Sequence, residues 1–195
     1  MLGSDILQIF NIRDGGLAIY GGLIAGGYVI AKRCKACKIR PEECFDYIAP
    51  FVAIAQCIGR FGNFFNLEAY GAQTQSFFRI GFQTINGYIE VHPVFFYESL
   101  ATLIIFLLLR HMQKNRKFIG QICYSYILLY SGVRMFLELL RADSLMFLNF
   151  RISMVVSVIL FIYSGVVLIK RYTQYAIRDS AKPLDLNKSN KKYKK

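Results

Sequence analysis

The stretch YIAPFVAIAQCIGRFGNFFNL, residues 47–67, contains a single charged side chain, Arg60. At 21 residues it has the length at which an α-helix crosses the hydrocarbon core of a membrane. Four further stretches are similarly long, apolar and poor in charge. The five predicted helices are residues 15–31, 47–67, 94–109, 118–141 and 152–170. The sequence therefore predicts an all-α fold, a polytopic membrane helix bundle with five transmembrane helices and a small loop region at its outer face.

The composition supports the same interpretation. Hydrophobic residues make up 55% of the 195-residue chain, yet its formal net charge is +12. A soluble protein would need a large core and a strongly basic surface to combine these two values. Here the apolar and the basic residues are segregated along the chain, which favours insertion into a membrane. We expect one membrane-embedded domain, residues 1–180, followed by a basic disordered tail, residues 181–195.

The distribution of basic residues predicts the orientation. The loop after the first predicted helix contains five Lys or Arg residues, the loop after the third contains four, and the chain from Lys170 onward contains nine. The alternate loops contain few. Because cytoplasmic loops carry the excess of Lys and Arg, we expect the C-terminus in the cytoplasm and the N-terminus outside. The tail is expected to touch anionic lipid headgroups rather than nucleic acid, since no nucleic-acid recognition motif accompanies its charge.

Three cysteines, Cys34, Cys37 and Cys44, cluster in a loop that this orientation places in the cytoplasm. The spacing of Cys34 and Cys37 is that of a zinc or redox pair. A structural zinc site needs four ligands, however, and the neighbouring sequence offers three cysteines and no histidine. In a reducing compartment free thiols are the default, so we expect free thiols here.

Charged side chains inside apolar helices are costly and therefore mark candidate functional residues. With the predicted orientation, Arg60 lies about 10 Å below the outer end of the second helix, at 1.5 Å per residue. Arg134 lies at the same depth in the fourth helix, Glu98 lies near the outer start of the third, and Tyr20 lies in the outer part of the first. The polar groups of four helices are therefore expected to meet in one layer in the outer half of the membrane.

Helical spacing adds further polar residues to this layer, because residues three or four apart share a helix face. The two sets are Arg60, Asn63 and Asn66 in the second helix, and Arg134, Glu138 and Arg141 in the fourth. A guanidinium binds a phosphate through two parallel hydrogen bonds, so two arginines at equal depth suit a phospholipid headgroup. The alternative is a charge lock between the second and fourth helices that binds no ligand.

Glycines and a long loop complete the candidate site. Gly21 and Gly22 follow Tyr20, and a bare backbone there could let a headgroup approach, although small residues also allow close contact between helices. Residues 68–91 are polar and too numerous for a tight turn. We interpret them as a mobile outer lid or substrate-binding loop with a short strand at Phe77–Ile80. His92, which ends the loop, is either structural or a direct participant.

Four motifs resemble, in the same order, those of the prolipoprotein diacylglyceryl transferase family. The segment Gly59–Gly71 matches every fixed position of GR-x-GN-x-x-N-x-E-x-x-G. Residues 15–24 resemble GG-x-x-x-HGGL, and residues 92–98 resemble HP-x-x-x-YE. Residues 130–141 resemble YG-x-x-R-x-x-x-E-x-x-R, with Ser131 inserted. The resemblance covers about residues 15–170.

The resemblance implies a transferase of bacterial lipoprotein biosynthesis in the inner membrane. The family moves the diacylglyceryl group of phosphatidylglycerol onto the lipobox cysteine of a prolipoprotein, which forms a thioether and releases glycerol phosphate. The residues implied in catalysis are Arg60, Arg134, Glu138 and Tyr20. Those implied in substrate binding are Arg60, Asn63, Asn66, Glu68, Gly71, Gly21, Gly22, His92, Tyr97, Glu98 and Arg141. No cofactor or metal is expected.

Two departures from the family pattern qualify this expectation. Tyr20 stands where the family often has His, and Tyr is the poorer base because it ionises at a pH of about 10 rather than about 6.5. His92 or a carboxylate is the alternative base. The family also has two further helices before the glycine-rich one, so we expect this chain to lack them.

Two other functions remain open at this stage. One is a membrane homologue that binds phospholipid without chemistry, although such a protein need not keep costly intramembrane charges. The other is a small transporter, which would need polar residues through the inner halves of the helices, where they are sparse.

Overall fold

The computed structural model describes residues 16–66, 71–84, 87–140, 146–147 and 150–180. These residues belong to two compact units, divided between Phe45 and Asp46, and each unit is described by itself. The predicted basic tail, residues 181–195, lies outside the described residues.

The first unit contains helix α1, Gly16–Ala36, and the first turn of helix α2, Pro41–Phe65. Helix α1 ends with Arg33 and Lys35 in its last turn, where cations complement the partial negative charge of a helix C-terminus. Lys38 follows with φ of 58°, in the left-handed region that ends helices. Helix α2 begins with a proline followed by Glu42 and Glu43, residues that suit the first turn.

The second unit contains the remainder of α2 and three more helices. These are α3, Val94–Lys114, α4, Gln121–Leu140, and α5, Ile152–Ser180. Two antiparallel hairpins interrupt them: β1, Ile80–Thr84, pairs with β2, Gly87–Val91, and β3, Met146–Phe147, pairs with β4, Phe150–Arg151. The all-α bundle predicted from sequence is confirmed, since helices dominate and the strands are short.

Within the described residues, four helices are long and apolar enough to cross a membrane, namely α2, α3, α4 and α5 from Ser153. The fifth predicted span coincides with α1, a helix of 21 residues that is not among these four. Helices α3 and α5 extend past the predicted ends at residues 109 and 170, because basic and polar residues continue the helix beyond the apolar stretch.

The short strand predicted at Phe77–Ile80 was wrong in its position. The strand begins at Ile80, and residues 76–78 form a bend. Strand β1 pairs with β2 from Ile80 opposite Val91 to Thr84 opposite Gly87. Gly87 has φ of 120°, a conformation that glycine adopts without strain. The segment between α2 and α3 is therefore partly an ordered hairpin.

Helix α4 lies between α3 and α5 and packs against both. A buried cluster joins α2, α3 and α4 through Ala49, Ala53, Ile105, Leu109 and Ile122. The two alanines lie one turn apart on α2, and their small side chains let the helices approach closely. Many large apolar side chains on α3, α4 and α5 are exposed, as lipid-facing surfaces require.

Asp46 joins the same three helices at the beginning of α4. Its buried carboxylate accepts hydrogen bonds from the backbone N–H groups of Gly120, at 2.7 Å, and Cys123, at 2.8 Å, and lies 3.4 Å from Arg116. A carboxylate here satisfies N–H groups that have no partner within their own helix.

Pro50 adds a second link at the same place. A proline inside a helix cannot donate to the carbonyl group four residues earlier, which here belongs to Asp46. The side-chain amide of Gln113, on α3, donates to that carbonyl at 3.0 Å instead. A hydrogen bond within α2 is thus replaced by one between α2 and α3.

Candidate functional site

Two arginines from different helices converge on one buried carboxylate. Arg60 Nη2, on α2, lies 2.6 Å from Glu98 Oε1, on α3. Arg134 Nη1, on α4, lies 3.4 Å from Glu98 Oε2. The sequence predicted that these three residues share one layer, and the structure brings them together. The structure also shows that Glu98, on α3, contacts both arginines.

Glu98 is held on several sides. Tyr130 donates its hydroxyl to Glu98 Oε1 at 3.0 Å, in addition to the two guanidinium contacts. Burying a carboxylate is costly unless it is paired and hydrogen-bonded, and here cations and a hydroxyl offset that cost. Glu138, one turn after Arg134 on α4, places Oε2 3.4 Å from Arg134 Nη2. Glu138 therefore orients Arg134, one of the two arginines that its helical spacing places on the same face.

The exposed fraction of the side chain differs among the three residues of this cluster. The side chain of Glu98 is 2% exposed, that of Arg134 is 15% exposed and that of Arg60 is 23% exposed. The carboxylate is thus more deeply buried than the two arginine side chains, which keep part of their surface accessible. A guanidinium has five N–H donors, so one bound to a carboxylate can still donate to an anion. The partly exposed side chains of Arg60 and Arg134 therefore form a candidate anion-binding site.

A set of polar contacts supports the cluster from the neighbouring turns. Ser99 donates to the backbone carbonyl of Cys57 at 2.9 Å and fixes α3 against α2. Tyr126 donates to Gln56 Oε1 at 2.8 Å, and its ring stacks on that of Tyr130 with centroids 5.8 Å apart. These residues are not among the site residues predicted from the sequence. The available signal was the helical spacing of Tyr126, Tyr130 and Arg134, which places them on one face.

Gly71, His92 and Tyr97 form a second group at the base of the hairpin. Gly71 donates its backbone N–H to the carbonyl of His92 at 2.9 Å. A Cβ atom at Gly71 would lie 2.7 Å from His92 Cβ and 2.9 Å from the carbonyl oxygen of Leu140, so the position needs glycine for packing. His92 Nδ1 is a buried nitrogen that has no hydrogen-bond partner among the described residues. That atom is suited to a hydrogen bond with a ligand.

The other predicted site residues are placed as follows. Asn63 is half-buried one turn after Arg60, and Asn66 is exposed in the turn that follows α2. Gly21 and Gly22 lie in α1, in the first unit, whereas Arg60 and Arg134 lie in the second unit. The side chain of Tyr20, and the residues Glu68 and Arg141, lie outside the described part of the chain.

The cysteines of the first unit are free thiols. Cys34 is buried and Cys37 is exposed, beyond the predicted apolar stretch that ends at residue 31. Hydrogen bonding to the Cys44 thiol raises the pKa of Cys34 to about 11. A thiol with a raised pKa is poorly nucleophilic at neutral pH, so Cys34 is expected to react slowly there.

Comparisons with known proteins agree with the motifs. A family model described as prolipoprotein diacylglyceryl transferase matches residues 2–170. Three relatives carry the name phosphatidylglycerol–prolipoprotein diacylglyceryl transferase. The relative from Finegoldia magna is 44% identical over 92% of this chain and 71% of its own length. The relative from Streptococcus sanguinis is 41% identical over 87% of this chain and 69% of its own length. The relative from Clostridioides difficile is 44% identical over 80% of this chain and 61% of its own length.

Proposed function

Because this chain belongs to the prolipoprotein diacylglyceryl transferase family, we propose that it transfers the diacylglyceryl group of phosphatidylglycerol to the lipobox cysteine of bacterial prolipoproteins. The observation that carries the proposal is the pairing of Arg60 and Arg134 with Glu98, with both arginine side chains partly exposed. Two oriented cations at one point among membrane-spanning helices suit the phosphate of a phospholipid headgroup.

The proposed reaction is a displacement at the glycerol carbon that bears the phosphate. A bond forms between that carbon and the cysteine sulfur, and the bond from the carbon to the phosphate oxygen breaks. The thiol proton passes to a base, and glycerol phosphate leaves with the electron pair of the broken bond. The phosphate gains a negative charge in this step. Arg60 and Arg134 would stabilise that charge as it develops, because preorganised donors act most strongly in a water-poor site.

The remaining residues take supporting roles in this proposal. Glu98 and Glu138 hold the two guanidinium groups in place. Asn63, Asn66 and Glu68 would position the headgroup, and Arg141 would help to shape the site. Gly21 and Gly22 would let the lipid approach the backbone. Tyr20 would hydrogen-bond a reacting group, and His92, Tyr97 and Gly71 would line the side of the site next to the hairpin.

The proposed location is the bacterial inner membrane, with the N-terminus outside and the C-terminus in the cytoplasm. The chain is a multi-pass membrane protein by the composition of its helices. The excess of Lys and Arg after the first and third predicted helices supports the orientation. In this orientation the arginines lie on the side where exported prolipoproteins arrive.

The test is transfer itself. Residues 1–195 are expressed in membranes and supplied with labelled phosphatidylglycerol and a lipobox peptide, and label on the peptide cysteine is measured. Arg60→Ala should abolish transfer, whereas Arg178→Ala, which removes an exposed arginine in the last turn of α5, should leave it unchanged. Phosphatidylglycerol binding without transfer would contradict the proposal and identify a lipid-binding homologue.

A further inference from the structure

Two adjacent phenylalanines project from the segment between α2 and the hairpin. Phe77 is 90% exposed and Phe78 is 66% exposed, and their rings meet edge to face with centroids 5.3 Å apart. Water is an unfavourable environment for two rings of this size. The proposed transfer reaction uses neither side chain.

The exposed pair is held in an ordered turn. Arg79 Nη1 donates to the backbone carbonyls of Gln75, at 3.1 Å, and Ser76, at 3.4 Å. Arg79 Nε also pairs with Glu90 on strand β2 at 2.8 Å. Ser76 donates its backbone N–H to Thr74 Oγ1 at 3.1 Å. These bonds close the turn around the two phenylalanines and present the rings outward.

A further contact places the turn beside the beginning of a membrane-spanning helix. Tyr97, in the first turn of α3, donates its hydroxyl to the backbone carbonyl of Phe78 at 3.4 Å. Helix α3 starts at Val94 and is apolar enough to span a membrane from there. Phe77 and Phe78 are therefore tied to the level at which α3 enters the membrane. Aromatic rings at that level favour the boundary between headgroups and acyl chains.

We propose that Phe77 and Phe78 insert into the lipid headgroup boundary at the end of the membrane where α3 begins. The occupant of this surface is lipid because the pair adjoins the end of a spanning helix and consists of apolar rings. The neighbouring cation, Arg79, is already paired with Glu90. Insertion therefore depends on apolar burial and not on anionic headgroups, so it is independent of salt.

The sequence contains no tryptophan, so one introduced tryptophan reports its own environment. Phe77→Trp is prepared in the full chain and reconstituted into phosphatidylcholine vesicles with lipids brominated at defined acyl positions. Leu139→Trp, at an exposed position of α4, is the lipid-facing reference. Gln83→Trp, at an exposed polar position of β1, is the matched control within the hairpin.

We expect blue-shifted emission from Phe77→Trp and quenching by brominated lipid that places the ring about 5–10 Å into the boundary. The quenching should be equal at low and high salt. Gln83→Trp should emit as in water and be quenched by aqueous iodide. Water-like emission from Phe77→Trp, or equal lipid quenching at residues 77 and 83, would overturn the proposal. So would a blue shift that appears only when a lipobox peptide is added, because the surface would then bind peptide.

Discussion

Arg60 Nη2 lies 2.6 Å from Glu98 Oε1, which joins a cation of α2 to a buried carboxylate of α3. The guanidinium is therefore oriented before any ligand arrives, and binding need not pay for ordering its long side chain. Glu98 also contacts Arg134. A single carboxylate thus sets the spacing between the two cations that the proposed function assigns to phosphate.

Glu98→Gln keeps the shape of the side chain and removes its charge. Two guanidinium groups then lose their shared counter-charge, and we expect a loss of about 2–4 kcal/mol in the free energy of unfolding, since both cations keep partial solvent access. Thermal unfolding in detergent measures the loss. Transfer should fall as well, because the arginines are no longer fixed.

The control is Glu90→Gln, which breaks the exposed pair with Arg79 and should cost at most about 1 kcal/mol. Equal effects of both variants would refute the role assigned to Glu98.

The variant Arg60→Lys distinguishes a phosphate-binding site from an ion pair that binds no ligand. An ammonium can still pair with Glu98, but it lacks the planar fork that binds carboxylate and phosphate together. We expect transfer to fall by about 10- to 100-fold, which corresponds to one or two hydrogen bonds to the charged phosphate. Arg178→Lys should have no effect. Full transfer by Arg60→Lys would favour the charge lock without a ligand.

Asp46→Asn weakens the cap at the beginning of α4. Asn offers one carbonyl oxygen where the carboxylate bonds two backbone N–H groups through separate oxygens. We expect a loss of about 1–3 kcal/mol in unfolding free energy, measured by thermal unfolding. Asp46 lies 14 positions before Arg60 on α2, roughly 20 Å along the axis. Transfer per folded molecule should therefore be unchanged, and reduced transfer with intact stability would contradict a purely structural role.

Gly71→Ala introduces a methyl group into a closed space. The new carbon would lie 2.9 Å from the carbonyl oxygen of Leu140, an atom of the backbone that cannot rotate away. We expect a loss of about 1–3 kcal/mol in unfolding free energy. Gly165→Ala is the matched control, since its methyl group would meet Leu128 at 3.6 Å, an ordinary contact. A stable Gly71→Ala protein would show that the segment can move.

Thiol labelling tests the orientation and the pKa of Cys34 together. An impermeant maleimide should label Cys37 only from the cytoplasmic side, and Cys37→Ser should remove that labelling. Cys34 should resist at pH 8, because a pKa of about 11 leaves about one thiol in a thousand ionised. Its labelling should increase as the pH rises towards 11. Labelling of Cys37 from the outer side would reverse the proposed topology.

Sequence was sufficient for the parts of the site that depend on one helix. Four of the five apolar stretches predicted helices that are long and apolar enough to span a membrane. The four-residue spacing placed Glu138 on the same face of α4 as Arg134, which it contacts. Family membership and the transferase class followed from the motifs and are confirmed by the matching family model and relatives. These features are local in the chain, so periodicity and charge reveal them.

Features that depend on how helices pack could not be predicted in the same way. That Glu98 accepts both arginines depends on the relative rotation of α2, α3 and α4, which periodicity does not give. Asp46 was placed outside the second span and given no role, although it caps α4. The hairpin was missed for a different reason. The pair Asn86-Gly87 is a typical hairpin turn signal, and it is the local feature that indicates this hairpin.

Pro50 has a consequence for biogenesis. The carbonyl that it leaves without a helical partner is bonded by Gln113, which lies 63 residues further along the chain than Pro50. The carboxylate of the same residue, Asp46, is bonded by the start of α4. A polar group that is buried without a partner is expensive. When α2 leaves the ribosome, Gln113 and the beginning of α4 have not yet been synthesised. The carbonyl and the carboxylate of Asp46 therefore obtain these hydrogen bonds only after α3 and α4 have been made. The assembly of this end of α2 is thus coupled to the order in which the helices are translated.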